Sequence, residues 1–166
     1  MTEIILRLRR QPYLGLALAS LTLMALALLI GLQQSAIPDT WRFWWQVVTG
    51  TLLTGVIGYQ WMLLYYRLSG ANAATQRKYY TNHRWVGSVS FLLFAFHAIS
   101  IGHMLTNLLA LLFLACGITG ILNREIIRYR ANWAYNLWFA LHLAFSALLA
   151  PLILAHIWIA LLYEGI

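Results

Sequence analysis

The sequence predicts an all-α membrane protein, a bundle of five transmembrane helices. Of its 166 residues, 62% are hydrophobic and only 9% are charged, whereas a soluble globular domain carries about 25% charged residues. A helix needs about 20 apolar residues to cross a bilayer, and the long uncharged runs of this chain meet that length. We therefore expect a single transmembrane domain over residues 1–166, with spans at about 12–32, 43–65, 79–101, 105–123 and 134–163.

Local signals support each span in turn. The chain starts with the charge order of a signal peptide, but the following apolar run is too long for one, so we interpret it as a retained first span. In the second span Gly50, Thr54 and Gly58 recur every four residues, which is typical of close helix packing. The run from Trp85 to Asn123 is long enough for the third and fourth spans, with a turn expected in SIGHMLTN. Pro151 is expected to kink or tilt the fifth.

The basic residues predict the orientation. Of the 11 Lys and Arg residues, all but Arg42 precede the first span or fall around the connections between the second and third and the fourth and fifth. The positive-inside rule then places the N-terminus in the cytoplasm and the C-terminus outside. The net charge of +7 is explained by this topology and by anionic lipid headgroups, so we expect a bilayer and no nucleic acid as partner. Cys116 is the only cysteine, which excludes an intramolecular disulfide and c-type haem attachment.

Histidine spacing carries the functional argument. His83 and His97 lie fourteen residues apart in the third span, and His142 and His156 lie fourteen apart in the fifth. Fourteen residues fall about 40° short of four helical turns, so the members of a pair share a face and lie roughly 21 Å apart. An ionisable side chain within a membrane indicates function by default. Because the third and fifth spans run in the same direction, equal depths pair His83 with His142 near the cytoplasm and His97 with His156 near the exterior.

Two imidazoles that face each other at one depth can ligate a haem iron from both sides, as in b-type cytochromes. We therefore expect two haem b groups between the third and fifth spans, with the four histidines as axial ligands. Gly87 and Ser146 follow the inner histidines by one turn and are small enough for a porphyrin to lie close to the backbone. One haem with other roles for the remaining histidines, or a non-haem metal or proton pathway, are the alternatives.

Further polar residues accompany this arrangement. Arg84 and Arg77, with Lys78, are expected where propionates of the inner haem would emerge, and Arg42 is the basic residue available outside. His103 lies on another face of the helix. We expect it to be an interfacial residue, with a proton donor or substrate contact beside the outer haem as the alternative.

The stretches HRWVGSVSFLLFAFH and LHLAFSALLAPLILAHIW resemble the ferric-reductase-like transmembrane domain, which ferric reductases and the catalytic subunits of NADPH oxidases share. The resemblance covers the third to fifth spans and includes Arg84 and Gly87. It implies that His83 and His142 hold an inner haem, that His97 and His156 hold an outer one, and that electrons cross the membrane. Family members usually have a sixth helix, and many continue into a flavin and nicotinamide domain. This sequence ends after the fifth span, so we expect a separate electron donor.

The sequence thus predicts a di-haem b-type cytochrome of a bacterial cytoplasmic membrane, which conducts electrons from a flavoprotein, a quinol or another subunit to an external acceptor. No residue is expected to be catalytic, and reductase activity is expected only together with a partner flavoprotein. One alternative is an accessory haem-bearing subunit of a larger redox complex. The other is a haem-free metal or proton transporter, although such paths commonly use intramembrane carboxylates and the four Asp and Glu residues lie at predicted helix ends or in loops.

Overall fold

A computed structural model of the protein describes residues 11–30, 38–98, 104–123, 126–127, 129 and 131–164. These residues form helices and turns and contain no strand, which confirms the all-α class. The helices are α1 (Pro12–Ile30), α2 (Asp39–Gln60), α3 (Met62–Leu68), α4 (Ala73–His97), α5 (Met104–Ile121) and α6 (Asn132–Glu164). They fall into two compact units, with α1 to α4 in residues 1–100 and α5 and α6 in residues 101–166.

In the first unit α1 packs on the middle of α4. Four buried side chains of α1 recur every three or four residues, which is the spacing of one helical face; they are Tyr13, Ala17, Ser20 and Met24, and Leu14 is buried as well. Ser88 donates a hydrogen bond from Oγ to the Tyr13 carbonyl at 3.0 Å. The guanidinium carbon of Arg84 lies 3.6 Å from the centroid of the Tyr13 ring, a cation–π contact. Small and aromatic residues therefore join these two helices closely.

The second helix packs on α4 in the opposite direction. Near its start, Trp45 donates from Nε1 to the Phe96 carbonyl at 2.8 Å. Near its end, the Tyr59 hydroxyl accepts from the Asn82 amide at 2.7 Å. Early residues of α2 thus meet late residues of α4, and the two helices are antiparallel.

In the second unit α5 packs on α6. Trp138 donates from Nε1 to the Thr119 carbonyl at 2.7 Å, which ties the end of α5 to the start of α6. Leu149 is the one buried apolar side chain among those described in α6. The helix continues through Pro151 without interruption.

Three described helical segments are long and apolar enough to cross a membrane: Trp41–Leu68, Met104–Ile121 and Asn132–Leu162. The apolar part of α1, Pro12–Ala27, is shorter. Helix α4 is not among these candidate membrane spans, because its first half is polar and carries Arg77, Lys78 and Arg84. A helical protein with three candidate membrane spans is thus established, and crossings by α1 and α4 remain predictions.

The boundaries of α4 differ from the expected span of 79–101. Its start lies at Ala73 because the Asn72 side chain caps the helix, accepting from the Thr75 N–H at 2.9 Å. Its end lies at His97, since Ala98 has left the helical conformation with ψ of 72°. The first four residues of the expected turn in residues 100–107 lie outside the described residues, and Met104 already belongs to α5.

Candidate functional site

His97 lies in a notch on α2. Its Nδ1 atom is 3.3 Å from Oγ1 of Thr49. The imidazole also covers Gly50, where an added Cβ would lie 2.8 Å from His97 Cε1, closer than packed atoms approach. Only glycine at this position admits the ring without movement. Gly50 therefore packs against a candidate ligand, whereas no described atom lies within 4 Å of a Cβ added at Gly58.

His142 lies in a similar notch on α5. Its Nδ1 atom is 3.0 Å from Oγ1 of Thr119 and 3.1 Å from the Cys116 carbonyl oxygen. A Cβ added at Gly120 would lie 3.4 Å from His142 Cε1. The Trp138 ring stacks on the imidazole, with 9° between the planes and 6.2 Å between the centroids. Each unit thus presents one histidine to a Thr–Gly pair, Thr49–Gly50 or Thr119–Gly120, and we call these two pairs the Thr–Gly notches.

The contacts in the notches favour a proton on Nδ1 of each histidine. A hydroxyl has one hydrogen to donate, and the threonine oxygens lie 2.7 Å from the Trp45 carbonyl and 2.8 Å from the Ala115 carbonyl. A carbonyl can only accept, so it takes the hydroxyl hydrogen. The threonine oxygen then accepts from Nδ1–H of the histidine. A neutral imidazole with its proton on Nδ1 has its lone pair on Nε2, which is the form that can bind a metal.

His83 lies at the other end of the contact between α2 and α4, beside Gln60. Its Nδ1 atom is 3.3 Å from the Gln60 carbonyl oxygen, which can only accept. In the orientation that satisfies the Gln60 amide, the amide nitrogen donates to the His83 carbonyl at 3.1 Å and lies 2.6 Å from Nδ1. The Gln60 carbonyl requires Nδ1 to donate, whereas the Gln60 amide nitrogen requires it to accept. These two contacts therefore do not determine which ring nitrogen of His83 carries the proton. His83 and His97 both contact α2, as expected for residues that share a face.

The remaining two histidines are less informative. His156 is partly buried on α6, fourteen residues after His142. Because α6 is unbroken between them, the predicted shared face and separation of roughly 21 Å hold for this pair. His103 lies outside the described residues.

The small residues predicted near a porphyrin have protein neighbours. Gly87 accommodates Gln60: its N–H donates to the Gln60 amide oxygen at 2.8 Å in the satisfied orientation, and a Cβ added there would lie 3.0 Å from the Gln60 amide. Ser146 lies close to the Cys116 thiol. The contacts of Gly87 and Ser146 with a porphyrin remain predictions.

The predicted basic residues lie at both ends of the first unit. Arg84 lies over the Tyr13 ring, and Arg77 is exposed in the early turns of α4. Arg42 is partly buried near the start of α2. It precedes Thr49 by seven residues, about two turns, and therefore shares its helical face. Arg42 thus lies at the end of the unit that holds His97.

An apolar groove of about 280 Å³ opens between α2 and α4, lined by Val56, Trp85, Val86, Val89 and Leu93. Its four α4 residues lie between His83 and His97 along the helix. Cofactor sites are lined mostly by apolar side chains, and all five residues that line this groove are apolar. Among the described side chains, no three His, Cys, Asp or Glu residues cluster as a conventional metal site.

Sequence reasoning missed the notches and Gln60. A signal exists in the repeated Thr-Gly dipeptide, but Thr54–Gly55 has the same letters, and no described atom lies within 4 Å of a Cβ added at Gly55. The sequence pattern therefore cannot separate a notch from an ordinary pair. No protein-family model, curated protein or solved structure matches this chain.

Proposed function

We propose that this protein is a di-haem b-type cytochrome that conducts electrons across a membrane. His83 and His142 would ligate one haem, and His97 and His156 the other. The observation that carries this proposal is the hydrogen-bond acceptor beside Nδ1 of His97 and of His142 in the Thr–Gly notches. An imidazole that ligates iron through Nε2 donates its other N–H to a nearby acceptor, and His97 and His142 have such acceptors at 3.3 Å and 3.0 Å.

Three further features support the proposal. Both histidine pairs lie on helices and have the same fourteen-residue spacing. The groove between α2 and α4 is apolar, as the wall of a haem pocket must be. Histidines held only for helix packing would not need this repeated spacing.

The chain's own residues would bind and orient the two haems. The histidines supply the axial nitrogens, the notches hold two of the rings, and Arg84, Arg77 and Arg42 are the candidates to pair with propionates. When bound with two axial histidines, haem exchanges single electrons and has no open position for a substrate. The protein would therefore relay electrons rather than transform a substrate itself.

Donor, acceptor and orientation belong to the proposal as well. A flavoprotein, a quinol or another subunit would supply electrons on the cytoplasmic side of a bacterial membrane, and an external acceptor would remove them. The ferric-reductase-like family remains the resemblance that suggests this direction. The N-terminus would lie in the cytoplasm, since all Lys and Arg residues except Arg42 lie on that side of the predicted topology.

The test is an absorption spectrum of the detergent-purified protein, oxidised and reduced with dithionite, with haem per polypeptide measured as the pyridine haemochrome. We expect two b-type haems, and His103→Ala should keep both. A colourless protein, made with ample haem, would contradict the proposal. Uptake of a divalent metal into vesicles that hold this colourless protein would instead favour a histidine-lined transporter.

A further inference from the structure

We propose that Thr49 and Thr119 are positioning residues, each of which holds one haem-ligating histidine and sets the redox potential at that iron separately from the other. The inference rests on the proposed function and deepens it. It gives a role to α2 and α5, two helices that carry none of the four predicted ligands. Each of them offers a Thr–Gly notch to a histidine of the neighbouring helix in the same unit.

The first step is that the threonine hydroxyl must accept. Thr49 Oγ1 gives its hydrogen to the Trp45 carbonyl at 2.7 Å and lies 3.3 Å from His97 Nδ1. Thr119 Oγ1 has acceptors in the Ala115 and Cys116 carbonyls, both at 2.8 Å. With the hydrogen engaged in this way, only the oxygen lone pairs face the imidazole.

The second step is that glycine brings the ring to the hydroxyl. A Cβ at Gly50 would lie 2.8 Å from His97 Cε1 and 3.3 Å from its Nδ1. Any larger residue would therefore push the imidazole off Thr49. The Gly120 notch is looser, at 3.4 Å from His142 Cε1, and there the Trp138 ring stacks on the imidazole as well.

The third step links the hydrogen bond to the iron. An acceptor at Nδ1–H increases electron density on the imidazole and strengthens it as a ligand. The oxidised iron carries one more positive charge than the reduced iron, so the added electron density on the imidazole stabilises the oxidised iron more. Each threonine should therefore lower the potential of its own haem. Because the two hydroxyls act on different histidines, each potential is set separately.

The experiment is a redox titration of both haems in Thr49→Val, Thr119→Val and the matched Thr→Ser variants. Valine keeps the shape of threonine and removes the acceptor. We expect Thr49→Val to weaken the preference of the His97 iron for the oxidised state about tenfold, which equals an upward shift of about 59 mV for one electron. The other haem should keep its potential, and Thr49→Ser should restore the wild-type value.

Thr119→Val should shift only the His142 haem, and by less, because the Cys116 carbonyl still accepts at 3.1 Å. The control is Thr51→Val: Thr51 lies on the same helix, is exposed, and bonds the Val47 carbonyl at 2.7 Å. His97→Ala, which should keep only the haem of His83 and His142, shows which of the two titration steps belongs to which haem. Unchanged potentials in both valine variants, or equal shifts of both haems in one variant, would overturn the inference. The proposed function would stand in either case, provided that the protein still binds two haems.

A second measurement covers variants that fail to bind haem. In haem-free protein with ¹⁵N-labelled histidine, the imidazole signals distinguish a proton on Nδ1 from one on Nε2. We expect His97 in the wild type to carry it on Nδ1, and Thr49→Val to reduce that fraction while Thr51→Val does not. A wild-type proton on Nε2 of His97 would overturn the inference.

Discussion

His97 and His142 have the same kind of surroundings, built in two different ways. In the first unit the imidazole contacts one threonine acceptor at 3.3 Å and covers a glycine so closely that no Cβ would fit. In the second unit the imidazole has two acceptors at 3.0 and 3.1 Å, a glycine at ordinary contact distance and a stacked tryptophan. Close approach positions one ring, whereas hydrogen bonding and stacking position the other. Different packing thus gives both rings an acceptor beside Nδ1.

The most severe test of this comparison removes one ring. His97→Ala should leave the haem of His83 and His142 bound, lower the content from two haems to one, and abolish electron transfer across the membrane. The reason is that, in the proposed arrangement, each ligand pair would hold its own iron. Haem per polypeptide and reduction of an acceptor enclosed in proteoliposomes are the measurements. Loss of both haems would argue against two independent sites.

An intermediate effect comes from adding one methyl group to each notch. Gly50→Ala should destabilise the protein by about 1–3 kcal/mol, the range for overpacking a tight contact, because the Cβ would meet His97 at 2.8 Å. Gly120→Ala should have a smaller effect, since its Cβ would lie at 3.4 Å. Thermal unfolding in detergent measures both.

Gly55→Ala is the matched control for this pair of variants. It lies on the same helix as Gly50 and also follows a threonine, but a Cβ there has open space within the described structure. It should be neutral or slightly stabilising, because alanine favours a helix more than glycine does. A larger effect at Gly120 than at Gly50 would show that the distinction between the two notches is wrong.

The smallest expected effect concerns charge near His97. Arg42→Gln should lower the midpoint potential of the His97 haem, because loss of a positive charge favours the oxidised iron. The shift should be smaller than that of Thr49→Val, since a partly exposed charge pair is screened by water. Arg67→Gln, an exposed residue at the opposite end of the unit, is the control. An unchanged potential in Arg42→Gln would remove Arg42 as a propionate partner.

Much of the fold was predictable from the sequence. The long uncharged runs indicated helices, and the all-α class is confirmed. The fourteen-residue spacing of the histidines needs only a continuous helix to place both members on one face, and both histidine pairs lie on such helices. Hydropathy and helical periodicity act along the chain, so they can be read locally.

Other features depended on contacts between helices. The start of α4 was missed because the Asn72 cap is a short-range signal without an apolar periodicity behind it. The Thr–Gly notches join residues 48 and 23 positions apart in the chain. The sequence by itself determined that the chain is helical and that the histidines repeat. Only the tertiary structure decided that Thr49–Gly50, and not the identical pair Thr54–Gly55, meets an imidazole, because that choice depends on how α2 is rotated against α4.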